Sequence, residues 1–262
     1  MPAFAEGAPC WADAVLPDLA AGRRFYGELF GWTFEDLGEQ SGHYTMAARD
    51  GKNVAALTSP PEGGASAAWS IHLATADAAK AAARIAEAGG RVLDGPRQVG
   101  DAGVSVVAAD PGGSVLGVWQ PGAHPGFESA GEPGTYCWAE IHTRDAEAVD
   151  SFFSDAFGLT ARQVGDGKGF DYAVWSPPGQ DPVLGRMKEG PDGPVGYRVF
   201  FVVPDCDEAV AAVRRLGGTL DHGPHDSPFG RTALVTDDQG APFAVIDVTR
   251  RAGGMPGEAS GR

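Results

Sequence analysis

The chain has little cysteine, a shortage of positive charge and no long hydrophobic run, and each shortage excludes a class of protein. Its 3 cysteines do not form the pattern of a disulfide framework, so we expect free thiols in a reducing cytoplasm. Its 20 Lys and Arg residues face 35 Asp and Glu residues, giving a net charge of −15, which argues against nucleic acid or an anionic membrane as partner. The N-terminal residues also lack the basic and apolar blocks of a secretory signal.

Several catalytic motifs are missing as well. The sequence shows no Ser-His-Asp motif, no glycine-rich phosphate-binding loop and no Cys-x-x-Cys pair. It is instead rich in glycine (39) and proline (20), which favours many turns between short strands over a helical bundle. A length of 262 residues suits two domains, each able to bury its own core.

A long internal repeat organises the chain. The stretch "CWADAVLPD" (10–18) returns as "CWAEIHTRD" (137–145), and the following lines continue in step. Each half divides again at a strand-to-helix junction, so that Asp18, Asp77, Asp145 and Asp205 are predicted helix N-caps. Gly31, Gly89, Gly158 and Gly217 stand where left-handed C-terminal caps belong. The turns "DPGG" (110–113) and "DDQG" (237–240) join the last strands as hairpins.

These signals predict an α+β fold of four βαβββ units, paired into two barrel-like domains. Pairing the open faces of two units creates a half-closed cavity that suits a small molecule. The predicted boundaries are a first domain at 8–121 (units 10–58 and 68–121), a linker at 122–134, a second domain at 135–249 (units 137–188 and 196–249) and a disordered tail at 250–262.

The repeated units carry phrases that resemble a known superfamily. "FYGELFGW", "VGDAG", "GVWQPG" and "CWAEIHT" make the chain similar to the vicinal-oxygen-chelate superfamily, which contains glyoxalase I, bleomycin-resistance proteins and extradiol dioxygenases. It looks most like the two-domain actinobacterial glyoxalase-like branch, whose members include a mycobacterial culture-filtrate antigen and accessory proteins of anthracycline pathways. The fold of this superfamily hosts many chemistries, so the resemblance alone does not fix the function.

The resemblance also implies where a metal ion would bind. Catalytic members use a His or Glu on the first strand of one unit, a His on the first strand of its partner and a Glu on a last strand. Counting from the capping Asp and from the hairpin turns, these places hold Trp11, Ser70 and Gly117 in the first domain and Trp138, Arg198 and Ala244 in the second. A shift of two residues keeps the strand face and adds only Asp13 with His72, or Glu140 with His142, so we expect no metal and no other cofactor.

The candidate site residues each allow two interpretations. Trp11 and Trp138 either line ligand cavities or merely plug them, and Trp119 on the same side favours aromatic-lined pockets. Asp13 and Glu140 are either general bases or structural acids, while His72 and His142 are either catalysts or hydrogen-bonded wall residues. The remaining predicted ligand contacts are Tyr44, Tyr172, Trp175, Met187, Arg198 and Phe200. His222 and His225 are interpreted as a surface loop.

The leading hypothesis is a metal-free protein that binds a planar hydrophobic molecule. Its polyketide-like ligand and a role in antibiotic tailoring or self-protection by sequestration are what the resemblance implies. One alternative is an enzyme of the lyase, isomerase or oxygenase-like kind, using a weak metal site at Asp13 and His72 or acid–base work by Glu140 and His142. Another is a partner protein that assists an oxygenase by binding its product. We expect a monomer or weak dimer, because four units in one chain complete two barrels.

Overall fold

The computed structural model describes residues 4–60 and 66–253 and contains two eight-stranded sheets, one from each half of the chain. The strands of the first sheet are β1 (Pro9–Val15), β2 (Thr33–Asp36), β3 (Thr45–Arg49), β4 (Lys52–Thr58), β5 (Ala68–Ala74), β6 (Arg91–Val99), β7 (Gly103–Ala109) and β8 (Val115–Pro121). Those of the second are β9 (Tyr136–Thr143), β10 (Thr160–Gln163), β11 (Tyr172–Ser176), β12 (Leu184–Lys188), β13 (Gly196–Val202), β14 (Thr219–Ser227), β15 (Gly230–Thr236) and β16 (Pro242–Asp247).

Both sheets have the same strand order. The first runs β2-β3-β4-β1-β5-β8-β7-β6, and the second repeats it as β10-β11-β12-β9-β13-β16-β15-β14. At the centre of each sheet, the first strands of two units are antiparallel neighbours, β1 with β5 and β9 with β13. Each sheet therefore contains two βαβββ units, and the predicted α+β fold of paired units is confirmed.

The helices begin and end where the sequence predicts. They are α1 (Leu19–Phe30), α2 (Ala78–Glu87), α3 (Ala146–Phe157) and α4 (Cys206–Arg215), with a short 3-10 helix at Glu39–Ser41. The carboxylate of the Asp before each α-helix accepts a hydrogen bond from a backbone N–H of the first turn, which satisfies donors that the helix cannot. All four predicted C-terminal glycines have positive φ, and both predicted hairpin turns are present.

Two segments near the C-terminus differ from expectation. Most of the stretch "DHGPHDSPFG" belongs to strand β14 and is not a loop, although its pairing with β15 shifts register at His222 and His225. Such bulges at a sheet edge accommodate a Gly-Pro pair. Within the predicted disordered tail, Arg251 forms a bridge with Ser227. Residues 254–262 lie outside the described residues.

The helix-bearing faces of the two sheets meet in one hydrophobic core that crosses the domain boundary. Phe30 of α1 packs on Phe201 of β13 with ring centroids 5.0 Å apart, and the Tyr26 hydroxyl donates to the Asp237 carboxylate at 2.8 Å. Residues of both halves thus contribute to one core. Strand residues of the opposite parity face the concave sides of the sheets. No helix in the described ranges is long and apolar enough to cross a bilayer.

Candidate functional site

The second sheet curves around an open cavity of about 1480 Å³. Trp138, Glu140 and His142 form part of its wall because alternate residues of β9 share one face. Of the predicted ligand contacts, Tyr172, Met187 and Phe200 also line it. Phe170 and Phe229 lie at its mouth, and their side chains are among the most exposed aromatic groups of the protein (42% and 49%).

A tryptophan–tyrosine pair shapes one wall of this cavity. The Trp138 indole N–H donates to the Tyr172 hydroxyl at 3.1 Å, and the Tyr172 ring stacks on Phe170 at 5.6 Å. A side chain at Gly185 would collide with the Tyr172 hydroxyl, so this glycine leaves room for the pair. Burial, and then the negative charge of Glu140, raises the pKa of Tyr172, which keeps the hydroxyl protonated.

A chain of acid, imidazole and acid lies on the adjoining wall. His142 Nε2 is 3.1 Å from a Glu140 oxygen, and its Nδ1 is 2.5 Å from a Glu189 oxygen. Burial lowers the pKa of His142, but the hydrogen bond and charge of Glu140 and the hydrogen bond of Glu189 outweigh it, so the pKa is raised. An imidazole between two carboxylates holds a proton, which makes it a general acid or base in principle.

Arg198 and Phe200 share one face of β13, but only Phe200 lines the cavity, so the predicted ligand contact at Arg198 is not brought to it. The Cα of Phe200 pairs with Trp138 on β9, and that of Arg198 pairs with Glu140. The Arg198 guanidinium approaches the Asp221 carboxylate of β14 at 3.8 Å. Burial lowers the pKa of Arg198, against the opposing charges of Asp221, Glu140 and Glu189.

Trp175 does not line the cavity, contrary to our prediction. It is fully buried on the helix side of β11, where it stacks on Phe153 of α3 at 4.3 Å. Its indole N–H donates to the Asp150 carboxylate at 3.0 Å. Tyr172 and Trp175 are three residues apart, so they face opposite sides of the strand.

The sequence interpretation missed several residues of the cavity. Glu189 lies two residues after Met187, and alternate residues of a strand face the same side, so this spacing places Glu189 on the same wall as Met187. His222 and His225 line the cavity from β14, and the Gly-Pro pair between them concealed the strand. The basic side chains of the lining, which no motif marks, are Arg144, Arg162, Lys168, Lys188 and Arg251.

In the first barrel, the residues equivalent to Trp138, Tyr172 and Glu140 are joined in one hydrogen-bond network. The Trp11 indole N–H donates to the Tyr44 hydroxyl at 2.8 Å, and this hydroxyl donates to the Asp13 carboxylate at 3.1 Å. The same carboxylate oxygen lies 2.9 Å from His72 Nε2. Burial and the Asp13 charge raise the pKa of Tyr44. The structure thus brings together Trp11, Tyr44, Asp13 and His72, all named from the sequence.

The segment between the domains covers this network. His124 meets the Trp11 indole edge-on at 4.6 Å, and Phe127 lies 5.5 Å from it. Phe127 also stacks on Tyr136 at 4.6 Å, and the Trp119 indole N–H donates to the His124 carbonyl at 2.9 Å. Trp11 is therefore only 3% exposed, whereas Trp138 is half-buried. We call residues 122–134 the plug.

The residues at the strand centres do not fit the ligand set that the superfamily uses for a metal. Neighbouring positions across the second barrel hold Trp138, Phe200 and Ala244, and those across the first hold Trp11, His72 and Gly117. Within the described ranges, no group of three or more His, Cys, Asp or Glu side chains is arranged to hold a metal ion. We therefore derive no step through a metal.

Comparison with solved structures supports the fold. The 2,3-dioxygenase LapB from Pseudomonas sp. KL28 superposes with a TM-score of 0.66 at 14% identity, covering 97% of this chain and 96% of that one. The Mn(II)-bound glyoxalase from Novosphingobium aromaticivorans gives 0.65 at 16% identity, with coverages of 95% and 86%.

Sequence comparison places the chain in a family. It is 37% identical to the anthracycline biosynthesis protein DnrV of Streptomyces peucetius, covering 100% of this chain and 99% of the relative. It is 32% identical to the protein CFP32 of Mycobacterium bovis, with coverages of 93% and 95%. Residues 11–118 match the family model described as Glyoxalase/Bleomycin resistance protein/Dioxygenase superfamily, and residues 138–246 match the Glyoxalase-like domain. The chain belongs to the glyoxalase/bleomycin resistance protein/dioxygenase superfamily.

Proposed function

We propose that the protein binds a planar, hydrophobic small molecule in its second barrel and that this binding needs no metal. The observation that carries the proposal is the contrast between two copies of one motif. The tryptophan of the first barrel's Trp–Tyr pair is covered by the plug, whereas the pair of the second barrel faces an open cavity. A duplicated wall that stays open in one copy offers a stacking surface to a ligand.

The chemistry of the cavity favours an aromatic ligand. Trp138, Tyr172 and Phe200 supply flat apolar faces, and aromatic rings stack on such faces in offset or edge-on geometry. Met187 adds an adaptable apolar surface beside Tyr172. In the first barrel, the rings of His124 and Phe127 pack next to Trp11, which supports an aromatic ligand beside Trp138.

The name of one relative supports a polycyclic aromatic ligand. The name of the Streptomyces peucetius relative refers to anthracycline biosynthesis, and anthracyclines contain fused planar rings. We therefore place the protein in antibiotic biosynthesis or self-protection, as an accessory that holds or sequesters a polycyclic aromatic compound.

Calorimetric titration with an anthraquinone tests the proposal. We expect one molecule to bind per chain. Trp138→Ala should weaken binding about tenfold, because the variant loses the apolar area that the indole buries against the ligand and about 1 kcal/mol of stacking energy. Trp11→Phe, in the sealed equivalent position, is the matched control and is expected to bind normally. Equal affinity of wild type and Trp138→Ala, or two molecules per chain, contradicts the proposal.

A second candidate function is acid–base catalysis on the bound molecule. It is favoured by the Glu140–His142–Glu189 chain, because the raised pKa of His142 gives a protonated imidazole beside the ligand space. Chromatography of a polycyclic quinone after incubation with the protein separates the two functions. Conversion that is lost in Glu140→Gln supports catalysis, whereas tight binding with full recovery of the compound supports sequestration.

A further inference from the structure

One wall of the second barrel uses all of its own hydrogen-bond donors internally. The Trp138 indole N–H donates to the Tyr172 hydroxyl at 3.1 Å. Burial, the charge of Glu140 and a hydrogen bond to Glu140 raise the pKa of Tyr172, so the Tyr172 O–H is directed at this carboxylate. The two ring nitrogens of His142 bond to Glu140 and Glu189. We call these side chains the acceptor wall, because none of them has a donor left for a ligand.

The acceptor wall keeps an unused capacity to accept hydrogen bonds. A carboxylate has two oxygens with about four lone pairs, and His142 engages only one oxygen of Glu140 and one of Glu189. The second oxygen of each residue is not among the described polar atoms that are buried without a partner, and both residues line the cavity. The Glu140 carboxylate is therefore open to a donor that enters the cavity.

The charges around the cavity favour a donor that is neutral. The carboxylates of Glu140 and Glu189 around a protonated His142 leave a net negative charge on the acceptor wall, which repels an anion. A cation is instead opposed by the basic side chains that line the same cavity, Arg144, Arg162, Lys168, Lys188 and Arg251. A neutral hydroxyl group avoids both repulsions and supplies the donor that the wall lacks.

We infer that the ligand of the second barrel is a hydroxylated aromatic compound, whose neutral hydroxyl donates a hydrogen bond to the Glu140 carboxylate while its rings stack on Trp138. The inference rests on the proposed function and adds the chemical class of the ligand. Trp138 and Glu140 are alternate residues of β9, so they share a face and lie about 7 Å apart along the strand. A fused ring system spans this distance, and one polar anchor fixes the orientation of an otherwise apolar molecule.

Two probes of nearly equal shape test the inference: 2-naphthol, which has a hydroxyl donor, and 2-methoxynaphthalene, which has none. A phenol ionises at about pH 10, so both probes are neutral at neutral pH. Calorimetry with the full-length protein should show a preference for 2-naphthol of about tenfold or more, the range expected for a hydrogen bond to a charged group. Glu140→Gln should reduce the preference to within about threefold, because a neutral amide is a weaker acceptor. Glu35→Gln, at an exposed position of β2, is the control and should keep the full preference.

An absorption measurement on wild type tests the same hydrogen bond without a variant. A hydroxyl that donates to a carboxylate shifts the longest-wavelength band of 2-naphthol to longer wavelength, whereas 2-methoxynaphthalene has no proton to donate. Binding to the full-length protein should therefore shift the band of 2-naphthol further than that of its methyl ether. Equal shifts overturn the inference, even if Glu140→Gln does not fold.

The outcomes separate this inference from the proposed function. Equal binding of both probes by wild type, or a preference that persists in Glu140→Gln, overturns the inference while aromatic binding stands. A third probe is the cation 2-naphthylmethylammonium, and tighter binding of this cation than of 2-naphthol also overturns it. If no naphthalene probe binds, the inference fails, and the anthraquinone titration decides whether the proposed function stands.

Discussion

Tyr172 and Trp175 lie three residues apart on β11 and face opposite sides of the sheet. Tyr172 lines the cavity and bonds to Trp138, whereas Trp175 is enclosed by α3 and bonds to Asp150. The first of these rings faces the cavity, and the second belongs to the hydrophobic core. Replacement of each aromatic residue should therefore affect a different property of the protein.

We predict that Trp175→Ala lowers the free energy of unfolding by about 3–5 kcal/mol, because it leaves a large cavity in a close-packed core. Trp138→Ala should lower it by less, since Trp138 already faces open space. Urea unfolding followed by far-UV circular dichroism measures both. Equal losses in the two variants would show that the cavity wall is as tightly packed as the core.

His142 makes stability depend on pH. Its pKa in the folded protein is raised, burial being outweighed by Glu140 and Glu189, so the protonated form favours folding. The contribution is complete below the ordinary histidine pKa of about 6.5 and disappears as the pH rises through the raised value. Across this interval, unfolding midpoints in urea should fall more steeply for wild type than for His142→Gln. If the midpoints of wild type and His142→Gln change with pH in the same way, the interaction of His142 with Glu140 and Glu189 does not contribute to stability as proposed.

At the scale of elements, the plug covers the tryptophan of the first barrel. Backbone hydrogen bonds fix its course, from Phe127 N–H to the Cys10 carbonyl at 2.7 Å and from Glu128 N–H to the Asn53 carbonyl at 2.9 Å. Phe127 is buried between Trp11 and Tyr136. Tyr136 is the first residue of β9. The plug thus joins the first barrel to the first strand of the second.

We predict that Phe127→Ala lowers the free energy of unfolding by about 3 kcal/mol, the lower end of the range for a buried Phe. It should also open the first barrel, giving a second and weaker anthraquinone site by calorimetry. Phe229→Ala removes an equally large but exposed ring and should change stability by less than about 0.5 kcal/mol. If Phe127→Ala leaves the free energy of unfolding unchanged, the plug is held in place by its backbone hydrogen bonds alone.

The strands and helices could be predicted because each unit repeats local signals. Asp before and Gly after each helix, and an Asp-x-x-Gly turn before the last strand of each half, need only neighbouring backbone atoms to act. Strand parity predicts that Trp138, Glu140 and His142 share a wall, and the same rule separates Tyr172 from Trp175. Tyr172 and Trp175 therefore cannot both line the cavity.

The course of the plug could not be predicted in this way. A stretch rich in Gly, Pro and small residues has no periodicity that indicates where His124 or Phe127 will pack. Its position is decided by long-range contacts, such as the one between His124 and Trp11, which lies 113 residues earlier in the chain. For the same reason, the sequence left open which of the two barrels has an accessible cavity, whereas the structure covers Trp11 and places Trp138 beside an open cavity.

At the scale of the whole molecule, the two domains are joined by their shared core. Phe201 of the second domain contacts Phe30, Trp32 and Trp69 of the first. The Trp32 indole N–H donates to the Gly134 carbonyl at 2.7 Å, in a buried setting. Separating the domains would expose this aromatic cluster to water, at a cost proportional to its apolar area.

We predict a single cooperative unfolding transition for the full chain, with the same midpoint by calorimetry and by circular dichroism. Phe201→Ala should destabilise both halves together, so that hydrogen exchange accelerates in β5 as well as in β13. Val115→Ala, at an exposed position of β8, is the control. Two resolved transitions, or faster exchange confined to the second half, would show that the domains fold independently.

Because Trp138 is less buried than the other tryptophans, fluorescence quenching can probe the second barrel. Five of its six tryptophans are buried, with Trp11, Trp32, Trp69, Trp119 and Trp175 each 8% exposed or less, while Trp138 alone borders an open space. A small collisional quencher such as iodide therefore reaches one emitter, and a compound seated in the second barrel shields it. The fraction of the emission that iodide quenches, and not the total from six tryptophans, therefore reports on access to this one cavity.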